Sequence, residues 1–358
     1  MLLGLPSAAN ASPSRAEGLA CTKPAKARRQ AVAAAYAKGM LKARAHYFKT
    51  HKGARLRARF VKKQKAKLKT LRAKASCKVA APPVSPPPPP PPPPIDLNPA
   101  PTANETFTFG PGMASADDDQ IKGDIAFAAE DVQRLVGISL DRVTVFASTD
   151  ATWLAGQQCG FYGYGGSCVA DTAAHYASGN SSAQGGPGAV FLYWAAASWQ
   201  FGAASNQKII AHELFHALQY QIDHLIHAGE TPPDQIRPSG PVWLDEGAPE
   251  TIGYRVMADR QLGTYANELA GQIGAAKHIS APLDQLERLS QTSIPGVYSL
   301  FLVSVDHLAR VAPAGLPALA AYYRALGTGA AWPDAFQQAF GMTVSAYYAD
   351  FAAYRATL

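Results

Sequence analysis

The sequence predicts an α+β fold with a small N-terminal sheet and a mostly helical C-terminal part, preceded by a basic helical segment and a polyproline linker. Three observations predict it. Lysine and arginine are concentrated before residue 80, and an unbroken run of nine prolines, Pro86–Pro94, follows them. Short β-branched or apolar runs then precede residue 205, whereas helical composition dominates after it, which is an α+β order. We therefore divide the chain into residues 1–20, 21–80, 81–104 and 105–358.

The net charge of the chain is divided unevenly between these segments. Residues 1–80 hold 21 lysines and arginines but a single acid, Glu17, so they carry +20. Residues 81–358 hold 12 basic and 25 acidic side chains and carry −13. The sequence pI of about 9.1 is therefore a property of the N-terminal arm and not of the domain that follows. It gives no reason to regard the whole protein as a nucleic-acid binder.

The N-terminal arm contains two different segments. In residues 1–20, Ala9 and Ala11 form an A-x-A-like cleavage pattern, so this segment is either the remnant of a signal peptide or a disordered terminus. Residues 21–80 are rich in Ala, Lys and Arg and predict helix. Their positive charge predicts that residues 22–78 bind anionic cell-envelope polymers. The alternative is that this segment is a solvated spacer. Nucleic acid is not expected as a partner, because only charge supports it.

The linker and the cysteines point to an extracytoplasmic protein. Pro86–Pro94 in a polyproline II helix would span about 28 Å, which suits a rigid spacer; a ligand for proline-binding modules is the alternative. The cysteines form two local pairs, Cys21 with Cys77 and Cys159 with Cys168, which suits two disulfides, with free thiols as the alternative. No apolar run reaches the roughly 18 to 20 residues of a membrane-spanning helix. We therefore expect a secreted or cell-envelope protein without a transmembrane span.

The elements of residues 105–358 follow from composition and periodicity. A helix is predicted over 116–136, with acidic residues at its positive end. Strands are predicted at Val143–Ala147 and Ala189–Trp194 from their β-branched and apolar residues. The glycine-rich stretch Gly160–Gly166 predicts a loop closed by a disulfide. Further helices are predicted at 206–227, 242–257, 293–311, 315–326, 332–340 and 344–356.

The motif that carries chemistry is H-E-x-x-H at residues 212–216. On a helix this spacing places His212 and His216 one turn apart on one face, where two imidazoles can bind one metal ion. Glu213 lies beside the first histidine, in reach of a water molecule as its general base. The flanking residues are apolar, and buried polar groups need partners, which a metal supplies. The alternative is a core helix whose histidines bond to the backbone.

A second motif supplies a third ligand. Residues 243–247 read W-L-D-E-G. H-E-x-x-H followed by W-L-x-E-G on a second helix resembles the gluzincin zinc metallopeptidases, and within them the peptidase MA-like family. The resemblance spans roughly residues 140–356. It implies a zincin-like fold and one Zn²⁺ per chain bound by His212, His216 and Glu246, with Glu213 as general base. It also implies a peptide or protein substrate.

The remaining site residues are predicted from position and from the same resemblance. Glu250 follows Glu246 by four residues and is predicted to orient a zinc histidine, with Asp245 as the competitor for that task. The resemblance nominates Tyr298 as the donor that stabilises the oxyanion; Tyr254 and a packed core tyrosine are the alternatives. The strand at 189–194 is predicted to be the edge strand that pairs with an extended substrate.

The sequence departs from the family in two places. The stretch between His216 and Glu246 is longer than in its best-known members and contains four prolines, which predicts an inserted loop. A segment of the G-x-M-E-N type, which binds the free amino terminus in aminopeptidases, is missing before the zinc helix. Its absence argues against an exopeptidase of that type. An alternative interpretation of the whole chain is a catalytically silent zincin-like domain in an adhesion protein whose basic arm binds anionic polymers; the presence of all three ligands and Glu213 favours the enzyme.

Overall fold

The structure is a computed structural model that describes residues 95–179, 182–225 and 232–358, together with Lys62 and Ala66. Residues Pro93–Leu358 form one compact unit. The predictions for the basic segment, for a Cys21–Cys77 disulfide and for the proline run lie outside the described residues. Within those residues, no helix combines the length and the apolar composition that crossing a bilayer requires.

A small mixed sheet forms the N-terminal part of the domain. Its strands are β1 (Glu105–Phe109), β2 (Val143–Ser148), β3 (Ala183–Gly186) and β4 (Ala189–Tyr193), in the order β1-β2-β4-β3. β1, β2 and β4 are parallel, and β3 pairs with β4 in the antiparallel direction. The prediction that 189–194 is the edge strand is therefore wrong. β4 is an interior strand, and β3 is the edge. The apolar run of β4 is almost completely buried, which is typical of an interior strand.

Helices make up most of the domain and confirm its α+β class. The ten α-helices of the described residues are α1 (Ser115–Val136), α2 (Ala151–Phe161), α3 (Cys168–Ala177), α4 (Ala203–Asp223), α5 (Val242–Asp259), α6 (Tyr265–Ala276), α7 (Val297–Val311), α8 (Pro317–Gly327), α9 (Trp332–Phe340) and α10 (Val344–Arg355). Short 3₁₀ turns occupy Ala197–Phe201, Leu283–Gln285 and Leu289–Ser293. The helix predicted at 293–311 is thus a 3₁₀ turn followed by α7.

The glycine-rich loop is shorter than predicted. α2 continues to Phe161, so only the last part of the stretch Gly160–Gly166 is irregular. Cys159 in the last turn of α2 and Cys168 at the start of α3 form a disulfide, as the local pairing predicted. Gly163 has a φ of 69°, a left-handed conformation that glycine adopts without steric cost. The disulfide and this turn hold α2 and α3 together as a hairpin.

Helix α4 runs through the centre of the domain, where it packs on α1, α5 and β3. Its neighbour α5 approaches both α4 and α7 closely through two glycines. A Cβ at Gly253 would lie 2.7 Å from the Lys208 carbonyl oxygen on α4, and a Cβ at Gly247 would lie 2.6 Å from the Phe301 carbonyl oxygen on α7. These contacts fix α5 between the two helices, and they explain physically why glycine follows Glu246.

Candidate metal centre

His212 and His216 lie on the face of α4 that is turned toward α5. His212 is buried and His216 is nearly so. Their Nε2 atoms are 3.1 Å apart, and the two rings are almost perpendicular. The four-residue spacing has therefore produced the arrangement that the motif predicts, with both ring nitrogens directed at the same point.

Glu246 approaches this point from α5. Its Oε2 atom lies 3.8 Å from His212 Nε2 and 3.5 Å from His216 Nε2. An ion bound tetrahedrally at roughly 2.0 to 2.1 Å would separate its ligand atoms by about 3.3 Å. The three observed separations of 3.1, 3.5 and 3.8 Å are close to that value without any metal to impose it. In the described part of the chain, these three side chains form the one such group of potential metal ligands.

The charges of the three side chains depend on each other. Burial by itself would raise the pKa of Glu246, but the adjacent His216 and His212 hold that pKa well below its usual range. Burial lowers the pKa of His216, but the carboxylate of Glu246 outweighs burial and raises the pKa to about 9. The metal-free centre is thus an ion pair. A divalent cation would replace the proton as the positive partner of Glu246.

Gln219, which the sequence reasoning missed, fixes the ring of His216. Its Nε2 group donates to the backbone carbonyl of Asp245 at 3.0 Å and also to Tyr323. Its Oε1 atom must therefore face His216, whose Nδ1–H donates to it over 2.7 Å. In the neutral ring this places the proton on Nδ1 and leaves the Nε2 lone pair facing Glu246. Gln219 follows His216 by three residues and so shares its helix face, which was the available signal.

Glu250 lies beside the other histidine, His212, whose Nδ1 makes no hydrogen bond within the described residues. One oxygen of Glu250 is 3.5 Å from His212 Nδ1 and 2.6 Å from the ammonium nitrogen of Lys208. Burial lowers the pKa of Lys208, but the charge and the hydrogen bond of Glu250, with Tyr254 and Glu213, together raise it. The lysine therefore stays charged and holds the carboxylate against His212. Lys208 is one helical turn before His212, and the sequence reasoning assigned it no role.

Asp245 is held by other groups. Its carboxylate accepts from Arg237 at 3.0 Å and from the hydroxyl of Ser239 at 3.0 Å. Arg237 also approaches Glu246 to 3.9 Å. The Asp245 side chain therefore anchors the inserted loop that carries Arg237 and Ser239. Its contribution to histidine orientation runs through its backbone carbonyl, which binds Gln219.

Glu213, the predicted general base, contacts the edge strand of the sheet. Its Oε2 atom accepts a 2.6 Å hydrogen bond from the backbone N–H of Gly185 in β3. A Cβ at Gly185 would lie only 2.0 Å from the Glu213 carbonyl oxygen, so only glycine fits there. β3 therefore packs directly on α4 and positions the carboxylate beside the histidines.

Tyr298 and Tyr254 occupy different places. Tyr298, in the first turn of α7, lines the same cleft as the metal centre. Burial, and then the charges of Glu246 and the neighbouring glutamates, raise its pKa, so that its hydroxyl remains a proton donor. The hydroxyl of Tyr254 accepts from Gln272 at 2.8 Å, and its ring faces Lys208. Of the two tyrosines, Tyr298 is the one directed at the cleft.

The cleft that contains these groups has a volume of about 760 Å³ and opens to solvent. That size is within the range of ligand-binding pockets. The imidazoles of His212 and His216, the carboxylates of Glu213 and Glu246 and the side chain of Tyr298 all line it. Among known proteins, no family model, no curated protein and no solved structure matches this chain significantly.

Proposed function

We propose that residues 105–358 form a zincin-like catalytic domain of the gluzincin kind, which hydrolyses peptide bonds with one zinc ion per chain. One observation supports this most strongly: three zinc-type donors from α4 and α5 converge at ligand spacing, with the spare carboxylate of Glu213 beside them. A structural metal site closes its coordination with a fourth protein ligand, whereas this group offers three donors and faces an open cleft.

The donor set fits zinc. His212, His216 and Glu246 would hold the ion, and two imidazoles with one carboxylate form a common ligand set of catalytic zinc. Gln219 fixes one ring, and Glu250, held by Lys208, faces Nδ1 of the other. When bound, zinc supplies a Lewis acid that polarises the substrate carbonyl and makes water acidic near neutral pH.

The residues of the chain supply the proton transfers and the charge stabilisation. Glu213 accepts a proton from the water molecule that attacks the peptide carbonyl, and passes it to the departing amine. The hydroxyl of Tyr298 donates to the oxygen on which negative charge develops. The Gly185 N–H directs the Glu213 carboxylate into the cleft, so the base needs no rearrangement before it acts.

The substrate we propose is a peptide or a protein outside the cytoplasm. The Cys159–Cys168 disulfide suits an oxidising compartment, such as the cell envelope or the medium. The basic residues 22–78 would keep the enzyme near anionic polymers of the envelope. The proposed attachment to envelope polymers depends on the positive charge of residues 22–78 alone.

The test compares hydrolysis by the zinc-loaded wild type with hydrolysis by Glu213→Gln, using a peptide library and equal zinc content. We expect hydrolysis by the wild type and a loss of about 10² to 10⁴-fold in the variant, the usual contribution of a general base. Glu130→Gln is the matched control, because Glu130 is exposed on α1 outside the cleft. Wild-type activity in Glu213→Gln would contradict the assignment of the base.

A second function stays testable with the same material. The strong positive charge of residues 22–78 favours an adhesion protein whose zincin-like domain binds zinc but is catalytically silent. That reading predicts one zinc per chain, no hydrolysis of any library member, and binding of the full chain to anionic wall polymer that weakens with salt. Hydrolysis that disappears in Glu213→Gln excludes it.

A further inference from the structure

The wall of the cleft opposite α5 is aromatic. We call Tyr162, Tyr164 and Phe191 the aromatic wall; all three line the cleft that contains Glu213. The rings of Tyr162 and Phe191 are 5.7 Å apart, as are those of Tyr162 and Tyr164. Phe161 packs edge-on against Tyr162 from behind. Tyr164 is 52% exposed at the rim, so its ring is open to a substrate in the cleft.

The aromatic wall is rigidly mounted. The Cys159–Cys168 disulfide closes the turn that carries Tyr162 and Tyr164. Gln158, one residue before this disulfide, donates to the side chain of Gln184 on β3 and accepts from the buried Tyr176 hydroxyl at 2.7 Å. The turn is thus tied to the edge strand itself. A wall that is fixed before the substrate arrives loses little entropy on binding.

The hydroxyl of Tyr162 is directed at the edge strand and has no partner in the described residues. Its oxygen is inaccessible to solvent and makes no hydrogen bond there. A Cβ at Gly186 would lie 2.3 Å from this oxygen, so the strand carries no side chain where the tyrosine sits. The ring of Tyr162 is therefore held against the edge strand, and its hydroxyl is closed off from the cleft.

The edge strand offers little backbone for pairing at the catalytic position. All four residues of β3, Ala183–Gly186, are in register with β4. The Gly185 N–H is already occupied by the Glu213 carboxylate. A substrate strand cannot use this donor without displacing the proposed base. Recognition of the substrate therefore has to come from elsewhere in the cleft, and the aromatic wall is the adjacent surface.

We propose that the aromatic wall is the specificity-determining site for a bulky apolar or aromatic side chain of the peptide substrate. The rings of Tyr162 and Tyr164 cover that side chain. Phe191, which is 1% exposed, supports the ring of Tyr162 from within the domain. This inference depends on the proposed peptidase function. In this proposal, the turn between α2 and α3 selects the substrate and takes no part in bond cleavage.

The test measures kcat/KM of the zinc-loaded full chain for hexapeptides in which Phe, Leu, Ala or Asp is placed at each position in turn. We expect one position at which Phe or Leu exceeds Ala and Asp by about 10-fold or more. Tyr164→Ala should reduce that preference by about 10-fold.

The matched control is Phe201→Ala, since Phe201 is 78% exposed and lies outside the cleft. The preference should be unaffected in this variant. Hydrolysis with no apolar preference, or a preference that survives Tyr164→Ala, overturns the assignment of the wall while the peptidase proposal stands.

Peptide binding to zinc-loaded Glu213→Gln, measured by fluorescence anisotropy, distinguishes failure of the aromatic-wall proposal from failure of the peptidase proposal. One outcome is that the wild type cleaves nothing, but the protein binds peptides with an apolar preference that Tyr164→Ala removes. This outcome supports the role of the aromatic wall and overturns the proposed peptidase function. Neither binding nor hydrolysis of any peptide overturns both.

Discussion

The two walls of the cleft are built from different chemistry. The helical wall, formed by α4, α5 and α7, holds buried histidines, carboxylates, Lys208 and Gln219, several of which contact one another. The aromatic wall is built from rings, and its one inward hydroxyl, that of Tyr162, has no partner in the described residues. The difference suggests that the first wall is organised for a reaction and the second for recognition. Variants on the two walls should therefore change different quantities.

The largest effect that separates the walls is expected at Tyr298. Tyr298→Phe removes a donor from the developing oxyanion and should lower kcat by about 10² to 10³-fold, with zinc content and KM nearly unchanged. Steady-state kinetics with zinc analysis measures this. Tyr254→Phe is the control, because the Tyr254 hydroxyl bonds to Gln272 instead. Equal losses in the two variants would show that Tyr298 contributes only to packing.

Gln219 provides the next test of the helical wall. Gln219→Leu leaves His216 Nδ1 without its acceptor and should weaken zinc affinity by about 10- to 100-fold, the usual effect of removing such a partner. Competition with a chromogenic chelator measures the affinity. Gln338→Leu on the exposed face of α9 is the control and should bind zinc as the wild type does. Unchanged affinity in Gln219→Leu would mean that the ring is oriented by other contacts.

Gly247 tests how the helical wall is assembled. A methyl group at this position meets the α7 backbone at Phe301, so Gly247→Ala should lower the free energy of unfolding by about 1 to 3 kcal/mol. Gly156→Ala on α2 is the matched control, since nothing lies within 4 Å of a Cβ there. That variant should be neutral or slightly stabilising. Chemical denaturation of the metal-free proteins measures the free energy of unfolding of both variants. Equal stability of the two variants would contradict the close approach of α5 and α7.

The pH dependence of the metal-free centre is the smallest effect. The pKa of His216 is raised from 6.5 to about 9 in the folded state, so its ion pair with Glu246 stabilises the fold fully below pH 6.5. This stabilisation is lost as the pH rises through 9. Because zinc binds the neutral ring, zinc affinity should rise by up to about tenfold per pH unit below 9. Calorimetry in two buffers would detect the released proton, and pH-independent affinity between 7 and 8 would contradict the ion pair.

Much of the helical wall could be predicted from the sequence. The period of an α-helix places His212 and His216 on one face whatever the surrounding structure, and Glu246 lies in a motif of its own, W-L-D-E-G. The partners of these ligands could not be predicted in the same way. Gln219 orients His216 only because the Asp245 carbonyl on α5 binds its amide, and Lys208 holds Glu250 only because α4 and α5 are packed in one register.

The aromatic wall was largely hidden from sequence reasoning. β3 reads Ala-Gln-Gly-Gly, because Glu213 and Tyr162 occupy the space of two side chains, so it lacks the β-branched residues that mark a strand. β4 was predicted as the edge, although its continuous apolar run is typical of an interior strand. Only Gly160–Gly166 was predicted as a loop, and no prediction was made for most of α2 and α3 on either side of it. In β3 a tertiary contact overrode the local preference.

The central claim is that His212, His216 and Glu246 hold one zinc ion, and diffraction data collected on either side of the zinc absorption edge test it most directly. For zinc-reconstituted crystals of the full chain, we predict one strong anomalous peak at about 2.0 to 2.2 Å from both Nε2 atoms and a Glu246 oxygen. A peak at other residues, or no peak between α4 and α5 after reconstitution, would contradict the account.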